Sequence, residues 1–359
     1  MIINIIFPFF PSKPGGGLRV LFEYANHLAK LDHNVKIYYQ SNTAFFNDRL
    51  GFPKYIYRKY VEKAKVTWFN VDKNISQSIV WKVNNENIDD GDVIFSTWYA
   101  LVYDIKTLDS GRKGIHFNLV QDIEDWFGNG DAVKNSYSVA NAVNVVIAQY
   151  LYDYIKQITR TAPEKLSFSI DKHKYKISTP IKDRHQKTIC MMYSNEPRKG
   201  SVFGIEALRI LKLKHSDLRA TFFGVDPRPS DLPEWIEYFQ KYPDIPSIYN
   251  GSAIFIGPSR QEGCALPPME AMYCGCAVVC TDIEGHRDYA FNIDTALLSL
   301  PNDSKDLASK IDTLLENNEQ RIQLATRGYD YMSQYSWERS TKELEQIFIN
   351  KLTALRASV

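Results

Sequence analysis

Two glutamates, Glu262 and Glu270, stand eight positions apart in the run Ser259-Arg260-Gln261-Glu262-Gly263-Cys264-Ala265-Leu266-Pro267-Pro268-Met269-Glu270. An apolar, strand-like run from Ala253 to Gly257 precedes them, and a short helix-like run from Glu270 to Cys274 follows. The pattern predicts Glu262 on a loop at a strand's C-terminal edge and Glu270 on the first turn of a helix. Ligands of open α/β sheets bind outside such strand ends. The free amides of a helix N-terminus form an anion site. The stretch is therefore suited to a ligand that is both phosphorylated and hydroxylated.

Other groups could serve the same ligand. Asn195-Glu196-Pro197-Arg198-Lys199-Gly200 follows an apolar strand pattern. Two cations on a strand-to-helix loop suit a diphosphate leaving group, whose negative charge grows in the transition state. Gly15-Gly16-Gly17 opens an amphipathic run in which Arg19 falls on the first turn. Gln121 and Asp122 end another apolar strand pattern, where they are placed to orient a hydroxyl. The loop Glu284-Gly285-His286-Arg287-Asp288 follows a further strand and puts His286 near the phosphates or base. Residues 53–69 interleave Arg58, Lys59, Lys63 and Lys65 with Tyr57, Tyr60, Val61 and Ala64 at helical spacing. Such a basic amphipathic segment can rest on an anionic membrane surface.

Strand-like and helix-like runs alternate along the chain, the signature of parallel-sheet α/β architecture. Strands are expected at Ile2–Phe7, Val35–Tyr39, Val93–Phe95, His116–Val120 and Val143–Ile147. The polar stretch 178–187 breaks the alternation. Strands resume at Thr188–Tyr193, Arg219–Gly224, Ala253–Gly257 and Ala277–Thr281, and helices are expected near 304–318, 319–334 and 337–356. A chain of 359 residues is long for one domain. The expected division is 1–180 and 181–339, with the helix at about 340–359 packing back on the first domain. Two such doubly wound domains facing one another would enclose a deep cleft.

Composition narrows the function classes. A net charge of +1 predicts no bulk affinity for nucleic acid. The apolar N-terminus lacks a basic region and a cleavage site, so a buried strand is expected there, not a signal peptide. No run is long and apolar enough to span a bilayer. Four of the five cysteines lie between Cys264 and Cys280 without a paired C-x-x-C, so reduced, buried thiols are expected and not zinc. No metal or organic cofactor is called for.

The motifs together resemble the retaining glycosyltransferase family 4, whose signature is E-x7-E and whose fold is GT-B, two facing Rossmann-like domains. The resemblance rests on the strings Ile254 to Gly263, Met269 to Met272, Gly275 to Val279 and Thr281-Asp282, and on Tyr335-Ser336-Trp337-Glu338. It is strong over roughly 188–345 and weaker over 1–175. It implies that Glu262 contacts donor-sugar hydroxyls and Glu270 the ribose, with Ser259, Gly263, Cys264, Ala265 and Leu266 beside the donor. It aligns Lys199 and Gly200 with a phosphate-binding R-x4-K-G element, but Ser194 stands where the arginine belongs. Arg198 is the candidate to replace that charge. The glycine loop with Arg19 would lie near the donor phosphate and the acceptor.

Gln121 departs from the family's common histidine. The segment Val120 to Phe127 and the opening Gly16 to Val20 resemble a rhamnosyltransferase-like subgroup. The alternative of a metal-binding DxD at Asp122, Glu124 and Asp125 does not fit the rest of the chain. The resemblance implies a metal-independent enzyme with Glu262, Lys199, Gln121 and Asp122 at its centre. It would pass a sugar from a dTDP-, UDP- or GDP-linked donor, rhamnose first, to a glycan or lipid-linked glycan hydroxyl in surface-polysaccharide synthesis. A cytoplasmic place, peripheral on the inner membrane face, would follow. An NDP-sugar epimerase or hydrolase of the same fold, or a non-catalytic glycan-binding scaffold, are the alternatives.

Overall fold

Strands flanked by helices on both faces of a sheet read as continuous apolar runs. In the computed structural model, which describes residues 1–42, 51–61, 65–125 and 128–357, such runs build two parallel sheets. Lys63, Ala64, Trp126 and Phe127 of the segments singled out above lie outside the described residues, as do 358 and 359.

The first unit comprises Met1–Phe168 and Trp337–Val359. Its strands are Ile2–Phe7 (β1), Asn34–Gln40 (β2), Ser76–Val80 (β3), Val93–Thr97 (β4), Ile115–Val120 (β5), Ala142–Val146 (β6) and Glu164–Lys165 (β7), ordered β3-β2-β1-β4-β5-β6-β7. The chain runs outward from β1 to β3 and returns to β4 beside β1. The strand order therefore reverses at the β1/β4 pair, the place where doubly wound sheets leave a crevice. The amphipathic helix Gly16–Lys30 buries Leu21, Phe22, Tyr24, Ala25 and Leu28 against this sheet. The last helix, Trp337–Ala357, belongs to the same unit. Its Trp337 stands edge-on to Tyr24 at 5.2 Å, and its Phe348 meets Phe117 at 4.5 Å.

The second unit is Ser169–Ser336. Its strands are Thr188–Met192 (β8), Arg219–Gly224 (β9), Ile236–Gln240 (β10), Ile254–Gly257 (β11), Ala277–Thr281 (β12) and Leu297–Ser299 (β13), ordered β10-β9-β8-β11-β12-β13. Here the reversal falls between β8 and β11. The helices Ser304–Glu316 and Asn318–Met332 meet at Asn317, whose side chain accepts from Gln320 N and caps the second of them.

The chain divides after Phe168, earlier than the expected break at 180. The cause is a polar weld. Asn250 Oδ1 accepts from Ser178 N at 2.7 Å and Thr179 N at 3.2 Å. The buried Arg184 guanidinium donates to the carbonyls of Thr179, Tyr249, Ser252 and Cys274. A stretch that reads as a solvated linker is thereby held to the second unit.

The 53–69 segment also differs from expectation. Its helix covers only Gly51–Tyr60. Trp68 and Phe69 instead turn inward, Phe69 stacking on Phe22 at 5.1 Å and Trp68 Nε1 donating to Pro11 O at 2.6 Å.

Replacing Arg184 with methionine keeps the volume but leaves several buried carbonyls without donors. We expect a loss of about 3 kcal/mol, read as a lower urea midpoint for the second unit. An unchanged midpoint would show that the weld contributes nothing.

Candidate functional site

The site in the second unit begins where β8 and β11 end side by side. Gly200 adopts φ +62°, and a Cβ there would lie 2.0 Å from Pro258 O. Only glycine lets the two loops approach this closely. Arg260 N donates to Arg198 O at 2.7 Å, closing the contact. Ser194 completes the turn: its Oγ accepts from Glu196 N, and its carbonyl accepts from Ser201 Oγ at 3.0 Å. The hydroxyl at the position aligned with the arginine is thus occupied in shaping the loop.

This apposition brings Lys199 onto Glu262. Lys199 Nζ lies 2.8 and 2.9 Å from the two carboxylate oxygens, and Ser259 Oγ donates to Oε1 at 2.7 Å. Arg198 Nη1 stands 3.5 Å from Oε2 while its Nε pairs with Glu196. Glu262 is only 8% exposed, so these partners replace the water it has lost. Gly285 packs so closely that a Cβ would fall 2.2 Å from Glu262 O.

The helix after this loop spans Leu266–Tyr273, opening on Pro267 and Pro268 with Ala265 as its N-cap. It starts earlier than expected, because proline at the first positions forfeits only amides that have no helical partner anyway. Glu270 is consequently on the second turn, not the first. It is nearly buried and accepts from Tyr249 OH at 3.3 Å. Gly263 and Ala265 are buried and Cys264 is half-buried, at the positive end of the helix.

His286 is fully buried, which takes it off the open surface where a phosphate or base contact was expected. Its Nδ1 faces Thr281 O at 2.8 Å, which fixes that nitrogen as the donor. Burial lowers its pKa, so the ring is neutral beside Glu262 and Lys199, and Nε2 has no hydrogen-bond partner.

In the first unit the corresponding strand ends carry the other group. Gln121 Nε2 donates to Gly17 O and to Thr97 Oγ1, both at 3.1 Å, tying the glycine loop to β4 and β5. Gly16 and Gly17 are exposed, and Gly15 caps the helix. Arg19 leans along the helix to Glu23 at 3.4 Å. Asp122 is nearly buried, its Oδ1 accepting from Ile123 N at 2.8 Å and Tyr150 OH at 3.2 Å.

Sequence reasoning missed Glu124 as more than a rejected metal ligand. Its Oε2 accepts from Tyr99 N at 2.8 Å. Burial raises its pKa to about 8, with the Tyr99 amide opposing and the charge of Asp122 adding. Three acids after a buried strand were the available signal.

Among the described residues, ligand-type atoms of His215, Asp312 and Glu316 lie within 4.8 Å of one another. Lys214 Nζ already stands 2.7 Å from Asp312 and 3.2 Å from Glu316, supplying the cation there. All five cysteines are free thiols, and Cys190, Cys274, Cys276 and Cys280 are buried.

Residues 174–331 match the family Glycosyl transferases group 1. The match falls within the second unit and spans Lys199, Glu262 and Glu270. The chain is 33% identical over 111 residues to O-antigen chain mannosyltransferase B of Escherichia coli, covering 30% of this chain and 29% of that protein. It is 33% identical over 100 residues to N,N'-diacetylbacillosaminyl-diphospho-undecaprenol alpha-1,3-N-acetylgalactosaminyltransferase of Campylobacter jejuni, covering 28% of this chain and 27% of that protein. The chain thus spans less than a third of the length of these curated relatives. Among solved structures, Anabaena Alr3699/HepE in complex with UDP superposes with a TM-score of 0.73 at 16% identity, over 99% of this chain and all of that one. This last likeness is one of fold, two Rossmann-like parallel-sheet domains of the GT-B type.

Glu124 sets a pH dependence. Its folded pKa of about 8 lies above the ordinary 4.5, so the native state holds the extra proton between these values. Stability is then full below the lower value and falls as pH rises through the upper. Tyr99 and Tyr137 feel the charge of Glu124, Tyr137 that of Asp122 and Asp125 as well, and all four stay unaltered in Glu124→Gln. Thermal unfolding from about pH 5 to about pH 9 should fall more steeply for the wild type than for this variant. Parallel slopes would refute the assignment.

Proposed function

We propose that the chain is a retaining glycosyltransferase that moves a sugar from a nucleoside-diphosphate donor to a hydroxyl of a glycan or lipid-linked glycan. The observation that carries this reading is the convergence of Lys199 and Arg198 on Glu262, beside the amides of Gly263 to Leu266, with Glu270 on the helix that follows. Lys199 and Arg198 neutralise the departing diphosphate, and the helix end adds its dipole. Glu262 accepts from donor-sugar hydroxyls and Glu270 from the ribose, with Ser259 and His286 holding the loop from behind. Gln121, Asp122 and the Gly15–Gly17 loop with Arg19 orient the acceptor. The acceptor attacks on the face the diphosphate leaves, and that diphosphate receives the proton. The protein supplies orientation and charge.

The relatives named above carry mannosyl and N-acetylgalactosaminyl in their names, which gives a dTDP-rhamnose donor no support. A role in surface-glycan synthesis agrees with the O-antigen and undecaprenol-linked names of the same relatives.

Calorimetric titration with UDP, GDP, ADP and dTDP, without metal, tests the donor site. One nucleotide should bind, and Glu270→Ala should weaken it by about 2 kcal/mol, roughly thirtyfold. Absence of binding by all four would leave the scaffold alternative in front. Turnover of the donor without any acceptor would favour the epimerase or hydrolase alternative.

The helix Gly51–Tyr60 gives a lipid-linked acceptor a surface. It has no buried residue, and Phe52 and Tyr60 are 57% and 65% exposed beside Lys54 and Lys59, with no acid in the helix. No helix among the described residues is long and apolar enough to cross a membrane. We therefore place the protein on the cytoplasmic membrane face through this helix. It should sediment with phosphatidylglycerol vesicles and not with phosphatidylcholine vesicles, and the double variant Lys54→Glu/Lys59→Glu should remain in solution. Equal sedimentation of both proteins would remove the membrane from this account.

A further inference from the structure

Trp98, directly after β4, has φ +85° and ψ 125°, a conformation that bulky side chains rarely adopt. Strain of this kind persists only where surrounding contacts fix it, and it gathers at binding sites. Three contacts fix it here. Thr97 Oγ1 donates to Leu119 O at 2.8 Å, anchoring the residue before. Tyr99 N donates to Glu124 Oε2 at 2.8 Å, anchoring the residue after. Trp98 O itself accepts from Leu101 N at 3.1 Å. Glu124 is in turn steadied by Asn129 Nδ2, which donates to its carbonyl at 3.2 Å.

In this conformation the indole of Trp98 stands edge-on to Phe9, with centroids 6.3 Å apart at 83°. Both rings are half-buried. They come from the ends of β1 and β4, the pair at which the strand order reverses. Gln121 touches Thr97, the neighbour of Trp98, and Asp122 follows it in the chain. A partly open aromatic pair next to an amide and a carboxylate matches the two-sided chemistry of a pyranose. Its polarised C–H face lies on the electron-rich ring faces, and its hydroxyls turn to the polar groups.

We infer that Phe9 and Trp98 form a stacking platform for a pyranose ring, with Gln121 and Asp122 taking its hydroxyls. Glu124 is the positioning residue that holds Trp98 in its inverted conformation. Naming that sugar as the acceptor rests on the glycosyltransferase reading; the binding itself does not.

The test is saturation-transfer NMR on the full chain. The probes are the methyl pyranosides of mannose, glucose, galactose, N-acetylglucosamine and rhamnose, with the nucleotide found by titration as an internal control. At least one pyranoside should receive saturation on its ring protons. Trp98→Leu should weaken that binding roughly five- to tenfold, and Phe9→Leu should weaken it less. Glu124→Ala should weaken it as well, whereas Glu124→Gln, which keeps an oxygen for Tyr99 N, should restore it. A purely structural role for Glu124 would cost the first unit its fold, read as collapsed dispersion of that unit's amide resonances. The proposal requires those resonances to stay dispersed in all four variants, with the nucleotide signal as the control for the second unit. It is overturned if no pyranoside is saturated by the wild type, or if Trp98→Leu binds as the wild type does. Pyranoside binding without nucleotide binding would uphold the platform and overturn the donor site.

Discussion

The close approach of the Lys199–Gly200 turn to Pro258 is the constraint from which the rest of the second unit's site follows. Parallel strands end on one edge of a sheet, but their loops ordinarily splay apart. Here a left-handed glycine and two backbone hydrogen bonds to Arg198 O, from Arg260 N and Gln261 N, seat the β8 loop on the β11 loop. Lysine, serine and glutamate then meet within hydrogen-bonding distance, Lys199 at the end of a short 3-10 turn and Ser259 and Glu262 on the loop after β11. A glycine allows a second close approach one loop further on, where Gly285 rests against the backbone of Glu262 without a left-handed turn.

Charge explains why this arrangement is sound without a ligand. A carboxylate that is almost buried must be paired, and Lys199 meets both its oxygens. Under the proposed donor reading, an incoming diphosphate would compete for the same ammonium, setting the energy that holds Glu262 against donor binding. Arg198 is more exposed than Lys199 and is paired with Glu196 as well as Glu262.

Much of this was legible in the residues. The buried strands β1, β5, β8, β9, β11 and β12 announce themselves as apolar runs because both faces of a parallel strand are covered. Edge strands such as Ser76–Val80 and Glu164–Lys165 do not, being short, polar and covered on fewer sides. Glu262 and Lys199 stood out by spacing and neighbours. The Glu270 helix begins at Leu266, ahead of the helix-like run at Glu270, because Pro267 and Pro268 serve as its opening. His286 looked like a surface ligand because a loop after a strand usually is one, and only packing shows that it is enclosed. Trp98 left no trace, since an inverted backbone angle at a tryptophan has no compositional signal. The contacts around it join residues far apart in the chain, as where Tyr99 N donates to Glu124.

The first unit is assembled from both ends of the chain. Trp337, Leu344 and Phe348, with Ile347 and Leu352 packed beside them, fill places in a core otherwise made by the first 168 residues. During synthesis, those places stay open while the whole of the second unit is made. The second unit is continuous and needs no later residue to complete its core, whereas the first keeps a hydrophobic slot uncovered until the last helix has been made.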